Sequence, residues 1–203
     1  MTTRMEGSAP RHAAAFTLIE LLIVVAIIAV LAAIAVPNFL EAQTRSKVSR
    51  AKTDMRSLAT ALEAYRIGNA TYPVAQRHNG AYFRPLSARL IPLTTPVAFI
   101  TSIPPDPFPE DISFDPDGDH DAFDYWDLDS WRLLNVSTPQ PPLFRGRLWK
   151  LSSTGPDLIH TFGASPDGVM VSGLYDPTNG TKSFGDIVLL QGGGNAPDYV
   201  HHY

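Results

Sequence analysis

The chain predicts an α+β fold. A long N-terminal helix, apolar in its first half and amphipathic in its second, packs on a head built from a small antiparallel sheet and long loops. Three observations carry this. Phe16–Val36 is an apolar run of 21 residues with one charge, Glu20. Beyond it, Val48, Ala51, Met55, Leu58, Leu62 and Tyr65 recur at alternating spacings of three and four, the signature of one apolar helix face. The last third holds short strand-like runs bounded by Gly, Pro, Asn and Asp.

Taken in order, residues 1–15 form a short polar, alanine-rich segment with Arg4, Arg11 and Glu6. At about 1.5 Å of rise per residue, the run that follows spans ~30 Å, the thickness of a bilayer core. Residues 16–37 therefore read as a transmembrane helix, suited to lipid or to partner helices. Pro37-Asn38 interrupts the run, and proline there predicts a kink or local melting. Residues 38–67 continue as an amphipathic helix, with Arg45, Lys47, Arg50, Lys52, Arg56 and Glu63 mostly off the apolar stripe. Gly68-Asn69 reads as its stop, because glycine takes the left-handed cap conformation cheaply. Residues 68–203 form the head. Thr71–Pro109 is proline-rich, with short helical pieces expected around Pro85–Leu90. Residues 106–130 hold ten of the chain's 20 acids and read as an acidic loop. Strands are expected near Leu148–Ser152, Leu158–Phe162, Val169–Leu174 and Asp186–Leu190.

Totals exclude several classes. The 203 residues contain no cysteine, so disulfides, cysteine nucleophiles and cysteine metal sites are out. A formal charge of -4 argues against a dedicated nucleic-acid binder, which normally shows a basic excess. No catalytic residues stand out. The six histidines form no HExxH pair, and no GxSxG elbow occurs. Trp126, Trp131 and Trp149 read as core or interface aromatics.

The string FTLIELLIVVAIIAVLAAIAVPNF resembles the class III signal of type IV prepilins and type II secretion pseudopilins. The resemblance implies cleavage between Ala15 and Phe16 by a prepilin peptidase, N-methylation of Phe16, an assembly role for Glu20 and a helix kink at Pro37. The family normally has glycine before the cut, where this chain has Ala15. Cleavage would place a free amine at Phe16, one helical turn from Glu20. In a helical stack, Glu20 of one subunit can pair with the amine of its neighbour, which offsets the cost of a lone carboxylate in lipid. Counting Lys and Arg at the two flanks would place the head in the cytoplasm. The resemblance implies the reverse: a single pass through the bacterial inner membrane, N-terminus cytoplasmic, head periplasmic or extracellular.

The head extends the likeness. ALEAYRIGNATYP, carried by Ala61, Leu62, Glu63, Ala64, Tyr65, Arg66, Asn69, Tyr72 and Pro73, is similar to the major pseudopilins of type II secretion, as are IPPDPF at 103–108, SSTGPD at 152–157 and YDPTNGTKSFGDI at 175–187. The Asp-rich insertion at 110–130 departs from that pattern. The resemblance implies calcium as cofactor in the last loop, with Asp176, Asn179, Thr181, Ser183 and Asp186 as oxygen donors and Asp157 as a further carboxylate. An Asx-rich turn satisfying its own backbone is the competing reading. A second candidate calcium loop carries Asp115, Asp117, Asp119 and Asp121. It is not an EF-hand, because the twelfth position is Trp126 or Leu128 rather than glutamate.

The function expected is that of a structural subunit: a homo-oligomeric helical filament, with the prepilin peptidase/methyltransferase, minor pseudopilins and an assembly platform as partners. Two alternatives stand beside it, a minor type IV or competence pilin and a monomeric signal-anchored periplasmic binding protein.

Overall fold

The computed structural model describes residues 16–75, 83–108, 121–130, 147–159, 163–164, 170–171, 174–178 and 185–192. One helix, α1, runs Leu18–Asn69. The strands are β1 Asp124–Asp127, β2 Trp149–Ser153, β3 Gly163–Ala164, β4 Met170–Val171 and β5 Ile187–Leu190. β1, β2 and β5 form an antiparallel sheet in the order β1-β2-β5. β3 and β4 pair as a separate antiparallel ribbon. Short 3-10 turns occupy Leu86–Arg89 and Ile91–Leu93, where helical pieces were expected.

The chain divides into two compact units, residues 1–40 and 41–203. In the first, the helix is long and apolar enough to cross a membrane, and its apolar window is wholly unburied within the protein. Helical assignment passes through Pro37 without a break, so local melting does not occur there.

The second unit begins at Glu41, so the amphipathic half of α1 belongs to it. Val48, Ala51, Met55, Leu58 and Leu62 are buried, as the three-four spacing demands, and Ala61 joins them. They pack with Phe123 and Tyr125 around β1, Trp149 and Leu151 of β2, and Ile187 of β5. Tyr65 is half-buried and meets Phe99 edge-on, with ring centroids 5.6 Å apart.

Three expectations need correction. The helix stops at Gly68-Asn69 as expected, but glycine is not its cap. It ends at Asn69, and Ala70 takes the left-handed conformation (φ +60°), its N–H donating to the Arg66 carbonyl at 2.8 Å. That is a single-bond left-handed C-cap, with alanine where glycine is usual. Residues 155–158 form a turn, with Leu158 itself at positive φ, so no strand begins at Leu158. Finally, the acidic stretch is not all loop. Asp124–Asp127 inside it is a strand, with Tyr125 fully buried.

Candidate assembly helix and head loops

Phe16 and Thr17 precede the first turn of α1, and Phe16 is exposed. Glu20 is already engaged within its own chain. Thr17 donates to Glu20 Oε2 through both its backbone N–H and its hydroxyl, each at 2.8 Å. Glu20 N–H in turn donates to Thr17 Oγ1 at 3.3 Å. This is a reciprocal capping box. Its signal, Thr17-Leu18-Ile19-Glu20, is a T-x-x-E spacing that the sequence reading passed over. The carboxylate thus sits one turn from Phe16, held by hydrogen bonds that a stronger cationic partner can replace. Ala15, on the other side of the expected cut, lies outside the described residues.

The motif residues at the end of α1 lock helix to head. Glu63 accepts from Trp149 Nε1 at 2.9 Å and from the Tyr72 hydroxyl at 3.0 Å. Tyr72 Oη in turn accepts from Arg66 Nη1 at 3.1 Å and Gln191 Nε2 at 2.8 Å. Burial is the first cause that raises the Tyr72 phenol above its ordinary pKa. The segment after the helix is fixed by β1. Tyr125 donates to the Pro73 carbonyl at 2.9 Å, and Asp127 Oδ1 accepts the Ala75 N–H at 2.8 Å. Burial, reinforced by the Asp127 charge, holds the Tyr125 phenol well above its usual range.

A buried ion cluster lies beside this lock. Asp124 accepts from Arg89 Nη1 at 2.6 Å and from Lys150 Nζ at 3.1 Å. All three side chains are under 10% exposed, and the Arg89 guanidinium sits 4.8 Å from the Trp126 ring centre. Asp106, in the proline-rich turn, accepts from Ser153 Oγ at 2.8 Å and so ties that turn to β2. None of these pairings was expected from sequence, because the partners stand 26 to 47 residues apart.

The candidate calcium residues fall into two groups. Asp157, Asp176 and Asp186 are described; Asn179, Thr181 and Ser183 lie outside the described residues. The three backbone segments do converge. Tyr175 N–H donates to the Asp186 carbonyl at 3.0 Å, and Gly185 N–H donates to Asp157 Oδ2 at 2.9 Å. Gly155 makes the approach possible, since a Cβ there would sit 2.7 Å from the Gly185 carbonyl oxygen. Asp176 Oδ1 accepts from the Thr178 hydroxyl at 2.7 Å and backbone N–H at 2.8 Å, which lowers its pKa in that order of effect. The Asp176–Thr178 contacts are an Asx turn. Among the described residues, no three carboxylate or imidazole groups form a ready metal cluster. In the second loop, Asp115, Asp117 and Asp119 lie outside the described residues. Asp121 Oδ1 accepts the Ser87 N–H at 3.0 Å, at the start of a 3-10 turn.

Comparison with known proteins gives the following. Residues 10–36 match the family model for the prokaryotic N-terminal methylation motif. Residues 38–130 match the model for type II secretion system (T2SS), protein G. The type II secretion system core protein G of Pseudomonas aeruginosa is 30% identical over 119 residues, covering 58% of this chain and 84% of that protein. That of Vibrio cholerae is 30% identical over 125 residues, covering 58% and 81%. The type IV major pilin protein PilA of Myxococcus xanthus is 62% identical over 50 residues, only 25% of this chain and 23% of that pilin. No solved structure matches.

Proposed function

This chain belongs to the type II secretion system protein G family, and from that premise we infer how its parts serve a filament. It is a structural pseudopilus subunit. Its methylation motif fits processing by a prepilin peptidase, and its apolar N-terminal helix is its inner-membrane anchor. In our reading, the peptidase cuts before Phe16, the N-terminus faces the cytoplasm and the head faces out. Minor pseudopilins and an assembly platform are the partners at the base.

The observation that carries the reading is the placement of Glu20 one turn from Phe16 on a helix segment exposed along its whole apolar length. In lipid, an unpaired carboxylate costs roughly 2.5–3.5 kcal/mol on insertion scales. Thr17 hydrogen bonds relieve part of that cost. A neighbour's Phe16 amine relieves more, because it brings a full opposite charge. Assembly is thereby favoured over the lone membrane-bound subunit. The test is mass spectrometry of the membrane form together with filament formation by Glu20→Ala. A mature chain starting at methylated Phe16, and loss of filaments in the variant, are expected. An uncleaved Met1 chain, or filaments as abundant as wild type, refutes it.

We further propose that Asp157, Asp176 and Asp186, with Asn179, Thr181 and Ser183, take calcium, whose double charge would hold the carboxylates of three chain segments together. Calorimetric titration of the full chain with calcium should show one site that Asp186→Ala abolishes. No heat in the wild type removes the proposal. The 50-residue match to a type IV major pilin keeps one alternative in view, a minor pilin of a type IV or competence system. Filaments that form only with a separate major subunit would support it.

A further inference from the structure

The helix changes character after its apolar run. Arg45, Lys47, Arg50, Lys52 and Arg56 follow within 12 residues, and all five are exposed. At about 100° per residue, they flank the buried Val48–Leu62 stripe on both sides. Arg45 forms an i,i+4 pair with Glu41 in the open, and Arg50 a longer one, 3.5 Å, with partly buried Asp54. Such pairs are weak in water and readily shared with another anion. The Lys47 and Lys52 ammonium groups stand 5.8 and 5.7 Å from the ring centres of Phe108 and Tyr175. Those contacts leave the charge open to solvent. Arg56 has no carboxylate partner among the described residues.

We propose that the first part of this basic stem, Arg45, Lys47 and Arg50, binds anionic phospholipid headgroups at the mouth of the membrane span. This rests on the membrane-anchor reading above. Spacing along the helix selects the residues. If Val36 marks the edge of the hydrocarbon, Arg45 follows after ~14 Å of helix, Lys47 after ~16 Å and Arg50 after ~21 Å, whereas Arg56 follows after ~30 Å. The headgroup layer takes up about 5–8 Å of that. Arg45 and Lys47 therefore lie about one physiological Debye length from the lipid surface, and their long side chains reach back toward it. Arg50 is further out and Arg56 is beyond effective range. Continuity with the span on one helix, Leu18–Asn69, favours lipid over the acidic stretch of a second copy, because the first basic residues follow the apolar run directly in sequence.

The test is lipid retention by the full-length protein. It is purified from membranes of mixed phosphatidylglycerol and phosphatidylethanolamine, and the retained lipid is quantified by mass spectrometry. Each net basic charge at the surface is worth about fivefold in partition at low salt. Phosphatidylglycerol enrichment of at least about fivefold is expected, falling to within about twofold in the triple variant Arg45→Gln/Lys47→Gln/Arg50→Gln and in high salt. Arg56→Gln should retain wild-type enrichment. No enrichment in wild type, equal enrichment in the triple variant, or equal loss in Arg56→Gln each overturns the proposal. So does a photo-crosslinker at position 47 that captures a second copy instead of lipid. Resistance of each variant to carbonate extraction is scored in parallel. Loss of extraction resistance by the wild type would instead sink the anchor reading on which the proposal stands.

Discussion

Replacing Asp124 by asparagine tests the buried cluster most sharply. Asp124 lies 2.6 Å from Arg89 Nη1 and 3.1 Å from Lys150 Nζ, and all three side chains are almost wholly out of water. Asparagine keeps the shape and removes the charge. Two buried cations then lose the carboxylate they share. Breaking a buried pair by removing one partner costs about 3–5 kcal/mol, since the desolvated charge left behind is no longer compensated. In a chain of this size, each kcal/mol moves the melting temperature by about 2–4 °C, so a drop of about 6–20 °C is expected. The assay is thermal unfolding of the detergent-solubilised full chain, followed by tryptophan fluorescence. Trp126 stacks on Arg89, and Trp149 sits in the adjoining strand, so both report on this region. A double-mutant cycle with Lys150→Met separates charge from packing. Removing Lys150 should cost less in the Asp124→Asn background than in wild type. A shift under about 2 °C, or additivity within about 0.5 kcal/mol, would refute the reasoning.

Four further outcomes are expected. Ala70→Gly relieves a left-handed alanine at the helix C-cap and should stabilise the chain by about 1 kcal/mol, read as a higher melting temperature. Stability should fall as pH rises past about 10: the folded state keeps the Tyr125 proton while the unfolded chain releases it, so the unfolded state binds fewer protons there. Tyr125→Phe should flatten that alkaline decline while lowering neutral-pH stability by about 1 kcal/mol through loss of the bond to the Pro73 carbonyl, both measured by denaturant titration against pH. Ala15→Gly restores the small residue usual before the cut and should speed leader removal in pulse-labelled cells; an unchanged or slower rate would show that alanine is no handicap.

Much of the architecture was legible because its signals are local. The apolar run and the stripe from Val48 to Leu62 state both halves of the helix in the spacing of single residues. β2 and β5 were legible as short strand-like runs between turn residues. β1 was not. Asp124-Tyr125-Trp126-Asp127 stands among acids and reads as solvated loop. It becomes a strand because Arg89 and Lys150 neutralise Asp124, while the Ala75 and Ser130 N–H groups satisfy Asp127. The candidate assembly site divides in the same way. Phe16 and Glu20 were visible as a motif. That Thr17 already occupies the Glu20 carboxylate was a local signal left unread.

By itself, the sequence determined the helix, its change from apolar to amphipathic, the family signal at its start and the presence of a head. These depend on periodicity and on residues within one or two turns of each other. Only the tertiary structure decided which acids are buried and paired, how Glu63, Tyr72 and Trp149 lock the helix to the sheet, and that the chain segments at Asp157, Tyr175 and Gly185-Asp186 meet. The reason is physical. A buried charge or donor is tolerable only where a partner waits, and those partners come from segments tens of residues apart, which only the folded chain brings within hydrogen-bond reach.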